Sequence, residues 1–314
     1  MIGATGETGA ARPAWVYLVV LLSSTGLMGS SFVAGKILLH RIPPVVLVGD
    51  RFLLAGLATV PLALLSGRRA ARSDAGERRP TGAIPWVILI AIGLVQTTAV
   101  MALLFWSLES ITPGEAAILL FTNPLWVALL APLVLAERVR ARGLAGVGVG
   151  IGGVILAAGA LEGAAVLPGE ARALAASLAW AGATLLTKRC ASAVNTWWLT
   201  CVQMLAGAVA LLVIARLVGQ AWPARLSLAQ WAWFLWLAIS ASSGAFGLWF
   251  LALRWGGAAR TSAYLFLVPL FTVLLAHLIL GDPVTNAQMA GGVLIGAGVY
   301  LVNSGPRDSR PRTS

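Results

Sequence analysis

Residues 86 to 155 and residues 231 to 300 are one apolar segment written twice. An offset of 145 carries Trp86 onto Trp231, Leu103 onto Leu248, Phe105 onto Phe250, Phe121 onto Phe266, Pro124 onto Pro269, Gly146 onto Gly291 and Gly153 onto Gly298 without a gap, and it sets Glu137 opposite Asp282. Earlier in each half an offset of 152 pairs Lys36 with Lys188 and Leu53 with Leu205. The seven-residue change in offset falls in the polar, arginine-rich stretch from Ser66 to Thr81, which reads as a linker loop. An apolar repeat holding an odd number of membrane spans must insert its second copy upside down, an arrangement many secondary transporters use. Transport is therefore the function class to which the duplication points.

The solvent follows from composition. With 59% hydrophobic and 11% charged residues and a mean hydropathy of +0.89, the chain lies far from a soluble domain, which is about 45–50% apolar and about 25% charged. A helix crossing the hydrocarbon layer needs about 20 mainly apolar residues. Ten such segments are expected, at 15–39, 44–66, 84–108, 114–135, 143–161, 171–190, 195–218, 230–253, 257–280 and 284–303. Period-two alternation is absent, which disfavours a barrel. The expected fold is an all-α membrane protein of ten transmembrane helices built from two inverted five-helix repeats. Its parts are a cytoplasmic N-terminal segment at 1–14, a first repeat at 15–161, a second at 171–303 and a cytoplasmic tail at 304–314.

A net charge of +11 would suggest nucleic acid for a soluble protein, but here the basic residues sit in loops. With ten spans, sixteen of the 22 Lys and Arg fall on the side shared by both termini, among them Arg68, Arg69, Arg138, Arg140, Lys188 and Arg254. The other side, span ends included, holds Lys36, Arg41, Arg51, Arg172, Arg216 and Arg225. The positive-inside rule then places both termini in the cytoplasm and removes the need for a polyanionic partner. The first span is too long for a cleavable signal and is expected to stay as an anchor. Cys190 and Cys201 have no partners at metal-ligand spacing and read as free thiols. No metal or cofactor is expected.

The fifth and tenth spans are rich in glycine, at Gly146, Gly148, Gly150, Gly152 and Gly153 and at Gly291, Gly292, Gly296 and Gly298. Small residues four apart permit close approach of helices in lipid, within one chain or across a dimer. Pro124 and Pro269 stand near mid-span. Each lacks a backbone donor and clashes with the preceding turn, so each span is expected to kink there. Their symmetric placement leaves two readings open, a plain kink or a gate along a transport path.

The stretch Asn123-Pro124-Leu125-Trp126 running to Glu137, with its counterpart Val268-Pro269-Leu270-Phe271 running to Asp282 and a glycine-rich span after each, resembles the EamA module of the drug/metabolite transporter superfamily. The resemblance covers the chain from about Trp15 to Asn303, and Arg51 matches an arginine common in that family. Asp282 stands where the family more often has Glu. The resemblance implies an inner-membrane exporter of amino acids or related metabolites in a bacterium, working by alternating access, with aromatic or other neutral amino acids as the first expectation and other metabolites or drugs as the alternative.

For an amino-acid-sized substrate the informative residues are polar or aromatic ones near span centres: Ser24, Met28, Ser31, Gln96, Thr98, Asn123, Trp180, Thr184, Ser243, Phe246 and Tyr264. As a set they suit a mostly apolar pocket with a few orienting groups; singly, each hydroxyl could instead bond a neighbouring helix. Trp180 is the expected stacking surface. Asp50 and Arg51 are charges inside the hydrocarbon and so are functional candidates, Asp50 for ion coupling, and Arg51 either snorkelling outward or forming an ion pair with Glu109 or Glu115. His277 reads as a packed residue more than a proton carrier. An intramembrane enzyme is the competing class. The chain carries neither His-Glu-x-x-His nor Gly-x-Ser-x-Gly, and Gly49-Asp50 lacks the glycine that precedes an intramembrane aspartyl protease motif. Expected partners are a small-molecule substrate and the lipid bilayer, with monomer and dimer both open.

Overall fold

The structure is a computed structural model and describes residues 14–70, 83–135, 141–157, 168–190, 194–256, 261 and 264–303. Residues 1–13 and 304–314, Glu137 and most of the Ser66 to Thr81 linker lie outside the described residues. Among the described residues the regular elements are helices. They are α1 (Ala14–Leu39), α2 (Pro44–Ala70), α3 (Ala83–Gly93), a π-turn (Leu94–Ala99), α4 (Val100–Leu108), α5 (Pro113–Leu120), α6 (Asn123–Leu135) and α7 (Ala141–Ala157). The second half continues with α8 (Pro168–Cys190), α9 (Thr196–Leu217), α10 (Leu228–Leu235), a second π-turn (Trp236–Gly244), α11 (Ala245–Gly256), a 3₁₀ turn (Tyr264–Phe266), α12 (Leu267–Leu280) and α13 (Asn286–Asn303). Among the described residues six stretches are long and apolar enough to cross a membrane: Ala14–Leu39, Pro44–Ser66, Pro85–Leu108, Pro113–Val134, Thr196–Leu217 and Leu228–Trp249. Gly143–Ala157 and Leu267–Leu280 are apolar but shorter. The remaining two of the ten expected segments are α8, with Glu170, Arg172, Lys188 and Arg189 near its ends, and the glycine-diluted α13.

Side chains close many helix starts. Thr112 accepts from Glu115 N with Pro113 in the first turn of α5, and Asn195 accepts from Trp197 N at α9. Ser227 and Gln230 form a capping box at α10, and Thr285 and Gln288 exchange the same pair of bonds before α13. α9 and α12 each end on a glycine of positive φ, Gly219 at 71° and Gly281 at 72°. Gln220 N reaches back to Ala215 O and Gly219 N to Arg216 O, the Schellman pattern, whereas Gly281 N bonds His277 O in the simpler left-handed cap.

The two mid-span prolines act a turn earlier than their own positions. Proline cannot donate to the residue four before it and crowds that carbonyl, so α5 stops at Leu120 and α6 begins at Asn123, with Phe121 and Thr122 in a turn. The equivalent place in the second half is the 3₁₀ turn Tyr264–Phe266 before α12. Pro61 and Pro132 lie within α2 and α6 without ending them. The π-turns were not foreseen. Adding 145 to 94–99 gives 239–244, inside the second π-turn, so the distortion repeats with the sequence. The first π-turn lies hard against α9. A Cβ on Gly207 would lie 2.3 Å from Thr97 Cβ and 2.8 Å from Gly93 O.

The helix pairing follows the same offsets. α2 packs on α9 and α7 on α13, while α1 meets α11 and α12 as α8 meets α4 and α6. The α7–α13 seam is glycine against backbone: a Cβ on Gly153 would sit 2.7 Å from Gly291 O, and one on Gly298 2.5 Å from Gly146 O. Gly148, Gly152 and Gly296 face open space.

Apolar packing differs between the two ends. Call the end holding Ala14 the near end and the end holding Leu39 the far end. One continuous buried cluster joins the far halves of the helices, running through Phe32, Leu38, Leu47, Phe105, Leu119 and Leu211. Near-end packing divides. Tyr17, Leu21 and Ala252 gather with Tyr264 and Leu267, whereas Leu89 and Ile92 gather with Leu186, Leu199 and Val202. Among the described residues these two groups are separate clusters.

Candidate functional site

Met28, Trp180 and Phe246 are half-buried on the edge of the far-end cluster, at mid-span. Trp180 meets Phe121 edge to face at 5.5 Å and 85°, a favourable aromatic geometry. Phe121 occupies the turn that Pro124 imposes, so the helix break positions one half of this aromatic pair. The same turn is tied to α8 by a 2.9 Å bond between Thr122 Oγ1 and Ser177 Oγ. Asn123 then starts α6, 9% exposed, and its Nδ2 has no hydrogen-bond partner among the described residues.

The expected hydroxyls divide by use. Thr98 Oγ1 donates to Gly207 O at 3.1 Å, and Ser243 Oγ to Ala55 O at 3.0 Å. Donors are related by 145 and acceptors by 152, so this is one helix-to-helix bond made twice. Ser24, fully buried, donates to Ala245 O at 2.9 Å. Ser31 and Thr184 donate within their own helices, to Met28 O and Trp180 O. Each of these hydroxyls already has a backbone acceptor, so the packing role weighed for them is occupied. Gln96 is half-buried in the first π-turn. Tyr264 lies lower, edge to face with Tyr17 at 6.5 Å in the near-end group, away from Met28 and Trp180.

The charges are not where the sequence placed their partners. Arg51, 5% exposed, meets neither Glu109 nor Glu115. Its Nε donates to Ser242 Oγ at 2.8 Å, and its guanidinium lies over the Phe52 and Phe105 rings at 4.9 and 5.5 Å. The delocalised, weakly hydrated guanidinium tolerates aromatic faces. Asp50 accepts a hydrogen bond from Trp222 Nε1, and Trp222 stacks on Trp231 at 5.8 Å beside Phe234. Asp50 thus holds the far-end loop as well as standing as a candidate for ion coupling. The cleft beside it is walled by the exposed Leu57 and Trp231, so it faces outward from the bundle. His277 is exposed, its Nδ1 at 3.0 Å from Asp282 O. Cys190 is exposed and Cys201 buried, both free.

Lys36 went unremarked as a site residue, yet it closes the far end. Its Nζ donates to Leu108 O and, at 3.0 Å, to Ile111 O, fastening α1 to the corner between α4 and α5. Glu109, Glu115 and Asp282 lie around it, and the Glu115 carboxyl is within hydrogen-bonding reach of Glu170 on α8. A match to Lys188, exposed at the opposite end, was its only sequence signal.

Comparison with known proteins agrees with this duplicated architecture. The sequence profile of the EamA-like transporter family matches twice, at residues 14–159 and 167–304. The chain belongs to the EamA-like transporter family. This EamA-like chain is 30% identical over 290 residues to an uncharacterized transporter of Archaeoglobus fulgidus, covering 91% of this chain and 96% of that one. It is 28% identical over 290 residues to proteins named probable amino-acid metabolite efflux pump in Salmonella typhimurium and Escherichia coli, with 87% of this chain and 90% of each relative covered. A crystal structure superposes with a TM-score of 0.62 at 20% identity, covering 92% of this chain and 98% of that one, which speaks to fold alone. Family and relatives point to a multi-pass membrane transporter rather than an enzyme.

Proposed function

We propose that this EamA-like protein exports amino acids, aromatic or other neutral ones first, or similar small metabolites, across a bacterial inner membrane by alternating access between two inverted five-helix halves. The observation that carries the reading is the unequal packing of the two ends, continuous at the far end and divided at the near end, in a chain its family profile matches twice. With basic loops on the side of both termini, the near end is cytoplasmic in this reading, and the present state opens inward. Met28, Trp180 and Phe246 then border the central cavity, with Gln96 and Asn123 as its orienting polar groups. The helix pairing, the paired π-turns and the paired hydroxyl bonds support the ten-helix inverted repeat. The relatives named amino-acid metabolite efflux pumps support the substrate class. An exporter of other metabolites or drugs remains the alternative within the same fold.

The test is uptake of labelled aromatic and aliphatic amino acids by proteoliposomes, with and without an imposed pH gradient. Saturable uptake of Trp or Phe is expected. Trp180→Ala, which removes the stacking surface, is expected to weaken it about tenfold, an aromatic contact being worth about 0.5–1.5 kcal/mol beyond burial. Response to the gradient that disappears in Asp50→Asn would assign coupling to that carboxyl. No uptake of any amino acid by well-folded protein moves the substrate to other metabolites or drugs.

Pro124 and Pro269 are the proposed gates of this cycle. Restoring the missing donors by Pro124→Ala with Pro269→Ala is expected to straighten both spans and slow turnover with little change in binding. Unchanged exchange rates in the double variant would remove the prolines from the mechanism.

A further inference from the structure

Two buried donors stand unpartnered among the described residues, one turn apart at the mid-span start of α6: Asn123 Nδ2 and Trp126 Nε1. Native structures leave few buried polar atoms unsatisfied, because a donor without an acceptor has lost its water for nothing in return. Asn123 is 9% exposed, and the Trp126 indole nitrogen is buried although its ring is only partly so. Residues three apart on a helix share a face, with Cβ atoms about 5–6 Å apart. Leu125, on another side of α6, packs against Gly150 and the Ile295–Val299 group. The two donors therefore turn away from the α7–α13 seam. Beside them the Thr122–Ser177 bond and the Phe121–Trp180 pair mark where α8 meets the break.

From this geometry we infer that the break in the fourth span is a seat for the carboxylate of the transported solute, held by Asn123 Nδ2 and Trp126 Nε1 at the N-terminus of α6. The inference rests on the export reading and names the group by which that site recognises its cargo. An indole can only donate, so its partner must be an acceptor, and a carboxylate offers two oxygens to two donors. The thirteen-residue α6 presents its positive end at Asn123, which favours an anion there. A phosphate would call for Arg or Lys at the seat. The two cations resolved nearest the core are engaged elsewhere, Arg51 with Ser242 and aromatic rings and Lys36 at the far end. Trp180, across the break, is placed for a planar side chain of the same solute.

The test uses purified protein and three probes of one shape: phenylacetate, 2-phenylethanol and 2-phenylethylamine. Phenylacetate is expected to raise the melting temperature of the wild type by about 2–4 °C near saturation, and the alcohol and amine are not. Asn123→Ala and Trp126→Phe are each expected to weaken that response about tenfold in probe concentration, since a hydrogen bond to a charged group is lost. Asn123→Asp is expected to exchange the preference, favouring the amine. Counterflow of amino acids in proteoliposomes is measured alongside. A phenylacetate shift that disappears in both variants, without counterflow, keeps the seat and overturns the amino-acid export reading. Counterflow of amino acids that both variants leave unchanged keeps the export reading and overturns the seat. Equal shifts with all three probes, or none with phenylacetate, also overturn the seat. Variants that do not fold are recognised by a melting temperature already lowered without probe, and Trp126→Phe, which keeps the ring and removes only the donor, then decides.

Discussion

Gly298→Leu is expected to leave little folded protein. Leucine is the better helix former by nearly 1 kcal/mol, so on local grounds the change would stabilise α13. The seam decides otherwise. A Cβ at 298 would lie 2.5 Å from Gly146 O, 2.6 Å from Gly150 N and 2.8 Å from Gly150 Cα, all backbone atoms that cannot rotate aside. The helices must separate, and with them goes the close packing that replaces the hydrophobic effect between helices in lipid. The expected cost is about 3 kcal/mol or more, at the upper end of overpacking. The check is the yield of monodisperse protein and its melting temperature in detergent. Gly296→Ala is the control, because nothing lies within 4 Å of a Cβ there, and it is expected to be neutral or mildly stabilising. Equal behaviour of the two variants would mean that the glycines are placed for some other reason.

Lys36→Met is expected to loosen the far end. The substitution keeps a similar stem but removes the donor to Leu108 O and Ile111 O and leaves Glu115 without the neighbouring cation. Losing the hydrogen bonds of a half-buried charged group costs about 1.5–3 kcal/mol. In the proposed alternating-access cycle this penalty falls on the far-closed state, so the population is expected to move toward a far-open one. Ala116, fully buried in the far-end cluster, serves as reporter. In protein with Cys190 and Cys201 replaced, Ala116→Cys is expected to resist a membrane-impermeant maleimide and to become at least tenfold more reactive with Lys36→Met added. Unchanged labelling would mean that the apolar cluster alone keeps the far end shut.

Sequence spacing announces the depth at which some candidate residues lie, and not what they bond. Met28 and Trp180, repeat mates by the offset of 152, both lie half-buried at the edge of the core. Thr98 and Ser243 were legible as mates too, but their bonds to Gly207 and Ala55 were not. A hydroxyl near mid-span bonds whichever carbonyl a π-turn brings within 3 Å, and no spacing rule announces a π-turn. Arg51 failed differently. Sequence logic pairs a charge in the membrane with an opposite charge, whereas the fold put Ser242 and two aromatic rings around it.

From the sequence alone came the membrane setting, the repeat and its two offsets, and two glycine-rich spans able to approach a neighbour closely, because hydropathy, helix length and small-residue spacing act along a single chain. Only the tertiary structure decided which end is packed shut, that Lys36 fastens it, and that Asn123 and Trp126 have donors to offer. Those depend on which carbonyls and side chains arrive from other helices, and hydrogen bonds in a bilayer are settled by distances of a few tenths of an ångström that no one-dimensional pattern contains.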